Sequence, residues 1–391
     1  MRNYAVIAEF NPFHSGHKKL IDSVREYADN VICVMSGQFV QSAMPSICDK
    51  GIRAESAVLS GADAVIELPA LYATASAKSF AEGALKIISK VKGVTHLAFG
   101  ASSDKDSILR LAEIKIKCAD RFNSIYKSYL KQGKSHNYAT RAALSELYRE
   151  KYGEFEPDRA FDDPNSILGI EYVCAVNNLA ANIEPYIITR RGAHLSNEYY
   201  SSEFTSATNI RKSIISRDGA AENYMPFNYE KVVNFAENHS PNIDNFKKMA
   251  LFSIKSKQVE ELSVLRDCSD GMEYAIKEIA KKCDYDGIIG SDKLKVYGAK
   301  RLNRFFLDAV CGIKKEYLDY PFVTRLLSCK TNFNFSILPD FVKITNKDIK
   351  LAAENNLDKK SVLGVDERVT DLFNTICSVS GDYYNYSLVK V

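Results

Sequence analysis

The chain has 391 residues, of which 46% are hydrophobic and 26% charged, and its formal net charge is +3. This is the composition of a soluble globular protein with room for two domains, and it excludes a protein that is basic as a whole, so any nucleic-acid surface must be a local patch. No apolar run is long enough to cross a bilayer and no signal-peptide pattern is present, so we expect a cytoplasmic protein without a membrane partner. The nine cysteines contain no CxxC pair, which indicates reduced thiols rather than structural zinc.

Short apolar runs in the first half predict strands, and the longer segments between them predict helices. The predicted strands are Tyr4–Glu9, Asn30–Met35, Asp63–Leu68, Val94–Phe99 and Tyr186–Thr189. The predicted helices among them are His17–Tyr27, Ile52–Ser60 and Ala77–Lys90. Strands separated by helices of this length predict an α/β fold, with a Rossmann-like parallel sheet and crossover helices.

The pattern changes twice along the chain. From residue 104 to about 160 it is helical and rich in Lys, Arg and Tyr, which predicts a helical insertion in the sheet domain. Strand–helix alternation stops after residue 216, and amphipathic segments follow at 244–256, 273–281 and 299–310. We therefore predict an α/β domain over 1–220 and a mainly α-helical C-terminal domain over 221–391, joined in the turn-rich stretch 216–240. The tail, 382–391, has the composition of a strand.

The segment EFNPFHSGHKKL, residues 9–20, follows the first predicted strand and leads into the first helix. It places His14, Gly16 and His17 at the carboxyl edge of a parallel sheet, where α/β folds bind ligands. Free N–H groups at a helix start favour anions, glycine allows close approach, and histidines can donate hydrogen bonds to phosphate oxygens. A plain helix cap and a zinc pair are the alternatives, but the other histidines show no paired spacing that would complete a zinc site. The setting favours nucleotide binding without a protein-bound metal.

The HxGH motif after the first strand resembles that of the nucleotidyltransferase superfamily. A longer series of segments, in order along the whole chain, resembles the bacterial tRNA(Met) cytidine acetate ligase family. In the first half these segments are IAEFNPFHSGH, VMSGQFVQ, DKGIRAE, GADAVIELPALYA, PNSILGIEY, TRRGAH and SATNIRKSI. In the second half they are DGMEYAIKEIA, SDKLKVYGAKRLNR and DERVTDLF.

The resemblance implies an enzyme that uses ATP, with Mg²⁺ bound through its phosphates, to activate acetate as acetyl-adenylate. It further implies acetyl transfer to N4 of the wobble cytidine of elongator tRNA(Met). His14 and His17 are the implied catalytic residues. The implied ATP-binding residues are Ile7, Ala8, Glu9, Phe10, Asn11, Pro12, Phe13, His14, Ser15, Gly16, His17, Lys18, Lys19, Leu20, Gly100, Asn165 and Arg190.

Local pattern agrees with parts of this assignment. Gly100 follows a predicted strand, and Asn165, after Pro164, is placed as the N-cap of an apolar helix. Arg190 follows the strand YIIT, where a phosphate clamp is well placed. Asp49 and Lys50, in the loop after the second strand, are expected either to reach over the site or to stay solvated.

The segment FTSATNIRKSI, residues 204–214, resembles the superfamily's second phosphate motif. Ser206 or Thr205 is predicted to cap a helix whose N–H groups meet the β- and γ-phosphates. Ser206, Thr208 and Arg211 are the candidate phosphate contacts, and an ordinary capped basic helix is the alternative.

Three segments mix cationic and aromatic residues, at 127–141, 246–257 and 291–306. Lys and Arg contact RNA phosphates and aromatic rings stack on splayed bases, although a solvated helix face has the same composition. The third segment is the densest, and its predicted tRNA contacts are Lys293, Lys295, Lys300, Arg301 and Arg304. The chain departs from the family's Arg-Gly-acidic pattern after VMSGQFVQ, where it has Ser42, Ala43 and Met44, and from the family's tryptophan at Gly51.

Two other functions fit part of the pattern. One is a nucleotidyltransferase that adenylylates a small phosphorylated metabolite, which needs the HxGH chemistry but not the helical second half. The other is an RNA-binding protein that keeps a nucleotide site for regulation. The sequence does not specify the oligomeric state.

Overall fold

The computed structural model describes residues 1–153, 163–179, 182–189, 205–269, 271–355 and 362–391. Within these ranges, eight strands form one sheet in the order β5-β4-β1-β2-β3-β6-β7, and β8 pairs with β6. The strands are β1 (Asn3–Ala8), β2 (Asn30–Ser36), β3 (Ala64–Leu68), β4 (Val94–Ala101), β5 (Glu184–Thr189), β6 (Thr324–Cys329), β7 (Val342–Lys343) and β8 (Val389–Lys390).

The five strands from the first half are parallel, as predicted. In β1, for example, Ala8 pairs with Met35 of β2, and Val6 pairs with Ala98 of β4. The residues of β2 and β3 are almost all buried, because helices cover both faces of the sheet. This confirms the mainly parallel α/β architecture and places the carboxyl ends of β1, β2 and β4 along one edge.

The helices of the first half follow the predicted order. They are α1 (Ser15–Arg25), α2 (Lys50–Leu59), α3 (Ala70–Ala73), α4 (Ala77–Ile88), α5 (Lys105–Lys117), α6 (Ala119–Lys131), α7 (His136–Tyr152), α8 (Pro164–Asn178) and α9 (Ala207–Ser216). The three helices α5 to α7 account for the described part of the predicted insertion. In the described ranges, no helix is both long enough and apolar enough to span a membrane.

The second half is mainly helical, as predicted. Its α-helices are α10 (Tyr229–His239), α11 (Ile243–Ser256), α12 (Val259–Ser263), α13 (Met272–Ala280), α14 (Tyr285–Ile289), α15 (Ala299–Cys311), α16 (Asn346–Asn355) and α17 (Val362–Cys377). Short 3₁₀ turns lie at Ala220–Tyr224, Asp292–Leu294, Lys315–Asp319, Phe335–Ile337 and Tyr383–Asn385.

The second half also contributes to the sheet, which the strand pattern did not predict. Strand β6 runs antiparallel to β3, with Ala64 opposite Cys329, so the sheet is mixed rather than purely parallel. One buried apolar cluster extends from Ala5 in β1 to Cys377 in α17. Both halves of the chain thus contribute to this sheet and core. The division into domains at residue 220 stays a prediction. The predicted C-terminal strand is confined to the short β8.

Candidate functional site

The turn between β1 and α1 brings the two motif histidines together; we call residues 9–17 the histidine loop. His14 is the N-cap of α1, and its Nδ1 accepts a hydrogen bond from the Gly16 N–H at 3.1 Å. In return, Nδ1 of His17 accepts from the His14 N–H at 3.2 Å, which completes a capping box. The two rings stack with their centroids 3.7 Å apart. The loop therefore holds both imidazoles in one defined arrangement.

These hydrogen bonds decide which ring nitrogen carries hydrogen. A neutral imidazole has one N–H donor and one acceptor nitrogen, so an Nδ1 that accepts leaves the hydrogen on Nε2. In neutral rings, the hydrogen of both His14 and His17 is therefore on Nε2. Donors at a helix N-terminus are suited to phosphate oxygens on which charge accumulates. His14 does cap α1, as the alternative interpretation expected, and this cap is compatible with an Nε2–H donor.

The predicted nucleotide segment 7–20 is not uniform in its exposure. Phe10 and Phe13 are each 1% exposed. Their ring centroids lie 4.9 and 5.5 Å from that of His17, so both rings pack against this histidine. Leu20 is buried in the core. Lys18 pairs with Asp22 at 2.7 Å on the outer face of α1. Only part of the segment therefore faces the sheet edge, and Ile7 and Ala8 belong to β1 itself.

A buried arginine that sequence reasoning missed fixes the start of the histidine loop. Arg53 in α2 is 0% exposed; its Nη1 donates to the Glu9 carbonyl at 2.7 Å and to the Ser36 carbonyl at 3.2 Å, and its Nη2 donates to the Gly37 carbonyl. It thereby joins the carboxyl ends of β1 and β2. The sequence signal for the burial of Arg53 is its position in the helix, because it lies on the same apolar face of α2 as Ala57, four residues later.

The predicted N-cap Asn165 is wrong by two residues. Asp163 caps α8, Pro164 takes the first helical position, and Asn165 donates to Asp163 Oδ1 through its backbone N and its Nδ2, both at 3.2 Å. The aspartate forms the stronger cap because its Oδ2 also accepts from the N–H of Ser102 at 3.1 Å and of Ser166 at 3.0 Å. This ties α8 to the chain just after β4.

The other predicted ATP residues lie near this junction. Gly100 is the penultimate residue of β4, opposite Ile188 of β5, so it lies at the expected edge but not past the strand. Arg190 lies outside the described residues: it directly follows Thr189, the last residue of β5. The close packing of α8 is visible at Gly169, where an added Cβ would lie 2.6 Å from the Phe99 ring.

The second candidate phosphate segment forms α9 and contacts the histidine loop. Ser206 caps α9 as predicted, accepting from the Asn209 N–H at 3.2 Å. Arg211 donates to the Asn11 carbonyl at 2.7 Å and to Thr208 Oγ1 at 3.1 Å. Arg211 therefore holds the histidine loop against α9, in addition to placing a positive charge there.

The predicted tRNA residues divide into two groups. Lys293, Lys295 and Lys300 are exposed, and we call them the basic surface. Arg304 is only 8% exposed and binds Asp267 Oδ2 at 3.0 Å, so it is not part of that surface. Arg301 likewise donates to the Asp267 carbonyl at 3.2 Å.

Lys50 does not reach over the site, and it is not solvated. It is 2% exposed and bonds to both carboxylate oxygens of Glu67, at 2.7 and 2.8 Å. Asp49 caps α2 through the Gly51 N–H at 2.6 Å. Both residues are therefore structural. In the described residues, no group of three or more His, Cys, Asp and Glu side chains could hold a metal ion.

Comparison with known proteins identifies the family. The HIGH Nucleotidyl Transferase family matches residues 1–384. The tRNA(Met) cytidine acetate ligase of Clostridium perfringens is 33% identical, with 97% of each chain covered. The crystal structure of apo Thermotoga maritima TmcAL superposes with a TM-score of 0.87 at 25% identity, and that of TmcAL bound with alpha-thio ATP with 0.85 at 25% identity; both cover 100% of each chain. The chain belongs to the tRNA(Met) cytidine acetate ligase family of HIGH nucleotidyltransferases.

Proposed function

We propose that the protein activates acetate with ATP and acetylates N4 of the wobble cytidine in elongator tRNA(Met). The observation that carries this proposal is the capping box at the N-terminus of α1, which fixes the imidazoles of His14 and His17 through Nδ1 on the carboxyl edge of the sheet. The family relationship extends over the whole chain, and the relatives are tRNA(Met) cytidine acetate ligases by name. A structural neighbour binds an ATP analogue.

In the first step, an acetate oxygen attacks the α-phosphorus of ATP and pyrophosphate leaves. The two histidines donate to phosphate oxygens as negative charge moves toward the leaving group. Mg²⁺ bound through the phosphates would lower the charge of the triphosphate. Asn165, Arg190, Ser206 and Thr208 remain proposed contacts of ATP.

In the second step, the acetyl group passes to the cytidine amine. The basic surface contributes lysines that can bind the phosphates of the RNA. A wobble base sits in an anticodon loop, where little pairing energy must be lost to present it. Because these lysines lie in the second half and the histidines in the first, the proposal assigns a use to both halves of the chain.

The test is acetate-dependent exchange of labelled pyrophosphate into ATP, without tRNA. We expect exchange with acetate and none without it, and a loss of exchange in the His14→Ala, His17→Ala double variant. Pyrophosphate release that needs a phosphorylated metabolite instead of acetate would favour the alternative nucleotidyltransferase function.

A further inference from the structure

Glu9 is the first residue after β1, at the entry to the histidine loop. Its Oε1 accepts a hydrogen bond from the Gln41 N–H at 2.9 Å, and its carbonyl accepts from Arg53 Nη1 at 2.7 Å. The side chain is half-buried. The carboxylate is therefore held in position at the start of the histidine loop, in a residue that is not fully buried.

The histidines themselves are poor candidates for accepting a proton. With Nδ1 of each ring engaged by a backbone N–H and hydrogen on Nε2, a ring could take up a proton only at Nδ1. That would break the capping box of α1. His14 and His17 are thus donors in this arrangement.

Three other carboxylates in the described part of this edge are already engaged. Asp163 accepts hydrogen bonds from Ser102, Asn165 and Ser166. Glu67 is sealed in its ion pair with Lys50, as described above. Asp49 caps α2 and also accepts from Gln38 Nε2 at 2.6 Å. Glu9 is partly exposed, unlike Asp163 and Glu67, and unlike Asp49 it caps no helix and has a single side-chain hydrogen bond in the set described here.

We propose that Glu9 is the general base of the acetyl-transfer step, an inference that rests on the proposed function. The cytidine amine attacks the carbonyl carbon of acetyl-adenylate. A C–N bond forms, the bond between that carbon and the phosphate oxygen breaks, and AMP leaves with the bonding electrons. The proton lost by the amine passes to the Glu9 carboxylate and then to solvent, which balances the reaction without a further reactant.

The surroundings of Glu9 suit this role. Burial raises the pKa of its carboxyl above the usual value, and the Gln41 N–H and the charges of Arg211, Arg53 and Lys300 partly oppose the rise. A raised pKa makes the carboxylate a stronger base near neutral pH. Lys300, whose charge acts on the Glu9 carboxyl, belongs to the basic surface. Burial, and to a smaller extent the charge of Glu9, raises the pKa of Tyr172, so this tyrosine stays protonated.

The two half-reactions separate this role from ATP binding. Adenylation is measured as acetate-dependent pyrophosphate exchange, and transfer as a single turnover of the preformed enzyme–acetyl-adenylate complex mixed with tRNA(Met). Glu9→Gln keeps an oxygen for the Gln41 N–H but cannot accept a proton. Glu9→Asp keeps a carboxylate, and Glu26→Gln, an exposed position at the far end of α1, is the matched control.

We expect Glu9→Gln to lower the transfer rate by about 10²–10⁴-fold, the usual contribution of a general base, and to lower adenylation by at most about tenfold. The wild-type transfer rate should rise with pH as Glu9 ionises, and this rise should be absent in Glu9→Gln and present in Glu9→Asp. Equal losses in both half-reactions, or unchanged transfer, would overturn the assignment. If wild-type protein shows no acetate-dependent exchange, the proposed function fails first, independently of Glu9.

Discussion

His14 caps α1 and, under the proposed function, also donates to a phosphate oxygen, and substitution can separate these two roles. As N-cap it satisfies the Gly16 N–H at 3.1 Å, and as a side chain it presents an Nε2–H donor at the sheet edge. Asparagine is among the best N-cap residues, so His14→Asn should retain the cap while removing the imidazole. His14→Ala removes both.

Loss of the donor should mainly lower the rate of exchange, whereas loss of the cap should mainly lower the stability of the fold. Loss of one donor to a developing charge costs about 10²–10³-fold in rate, or about 2.7–4 kcal/mol. Loss of an N-cap costs about 1 kcal/mol of stability. With an unfolding entropy of about 2.1 cal/mol/K per residue, that loss shifts the Tm of a 391-residue chain by only about 1 °C, so urea denaturation is the better assay.

We expect His14→Asn to lose pyrophosphate exchange by about 10²–10³-fold with an unchanged free energy of unfolding. His14→Ala should show a similar loss of exchange and lower stability. Asn242→Ala removes the N-cap of α11, which accepts from the Asn245 N–H at 2.9 Å, and controls for cap loss outside the site. Full exchange activity in His14→Asn would refute the donor role and leave only the helix cap.

Three further substitutions test other parts of the structure. Lys50→Met should destabilise the fold by about 3–5 kcal/mol, because it leaves Glu67 buried without its nearest cation; a cost below about 1 kcal/mol in urea denaturation would contradict the ion pair. Ala43→Gly should change the free energy of unfolding by less than about 1 kcal/mol, because glycine adopts the φ of 58° without the cost of a Cβ, while the lost buried methyl and the freer unfolded chain offset that gain; a loss of more than about 2 kcal/mol would contradict this balance. Burial alone raises the pKa of Asp163, but its hydrogen bonds from Ser102, Asn165 and Ser166 outweigh burial and lower it. Its stabilising effect is therefore complete above the unfolded pKa of about 3.9 and lost as pH falls through the lower folded value, so the destabilisation by Asp163→Asn should shrink below about pH 4; a pH-independent difference in unfolding free energy would contradict the assignment.

The histidine loop was predictable because its determinants are local. An apolar run predicts β1, and His14 and His17 at i, i+3 form the capping box of α1 without help from distant residues. The alternation of strands and helices likewise predicts the parallel part of the sheet. The error at Asn165 arose because Asp163, Pro164 and Asn165 all favour a helix start, and only the contact with Ser102 distinguishes the cap.

Buried cations were the main failure of sequence reasoning, because Lys and Arg are usually exposed unless they are paired. Lys50 is buried against Glu67, 17 residues away, and Arg304 against Asp267, 37 residues away. Strand β6 pairs with β3 across a still longer separation, for which a single sequence has no local signal.

The most direct test of the central claim is mass spectrometry of tRNA nucleosides after incubation of the protein with ATP, isotopically labelled acetate and total tRNA. We predict label on cytidine as N4-acetylcytidine, dependent on ATP and absent from the His14→Asn variant. Wild-type protein that exchanges pyrophosphate with acetate yet transfers no label to cytidine would contradict the proposed RNA substrate. The absence of both activities would contradict the account of the site itself.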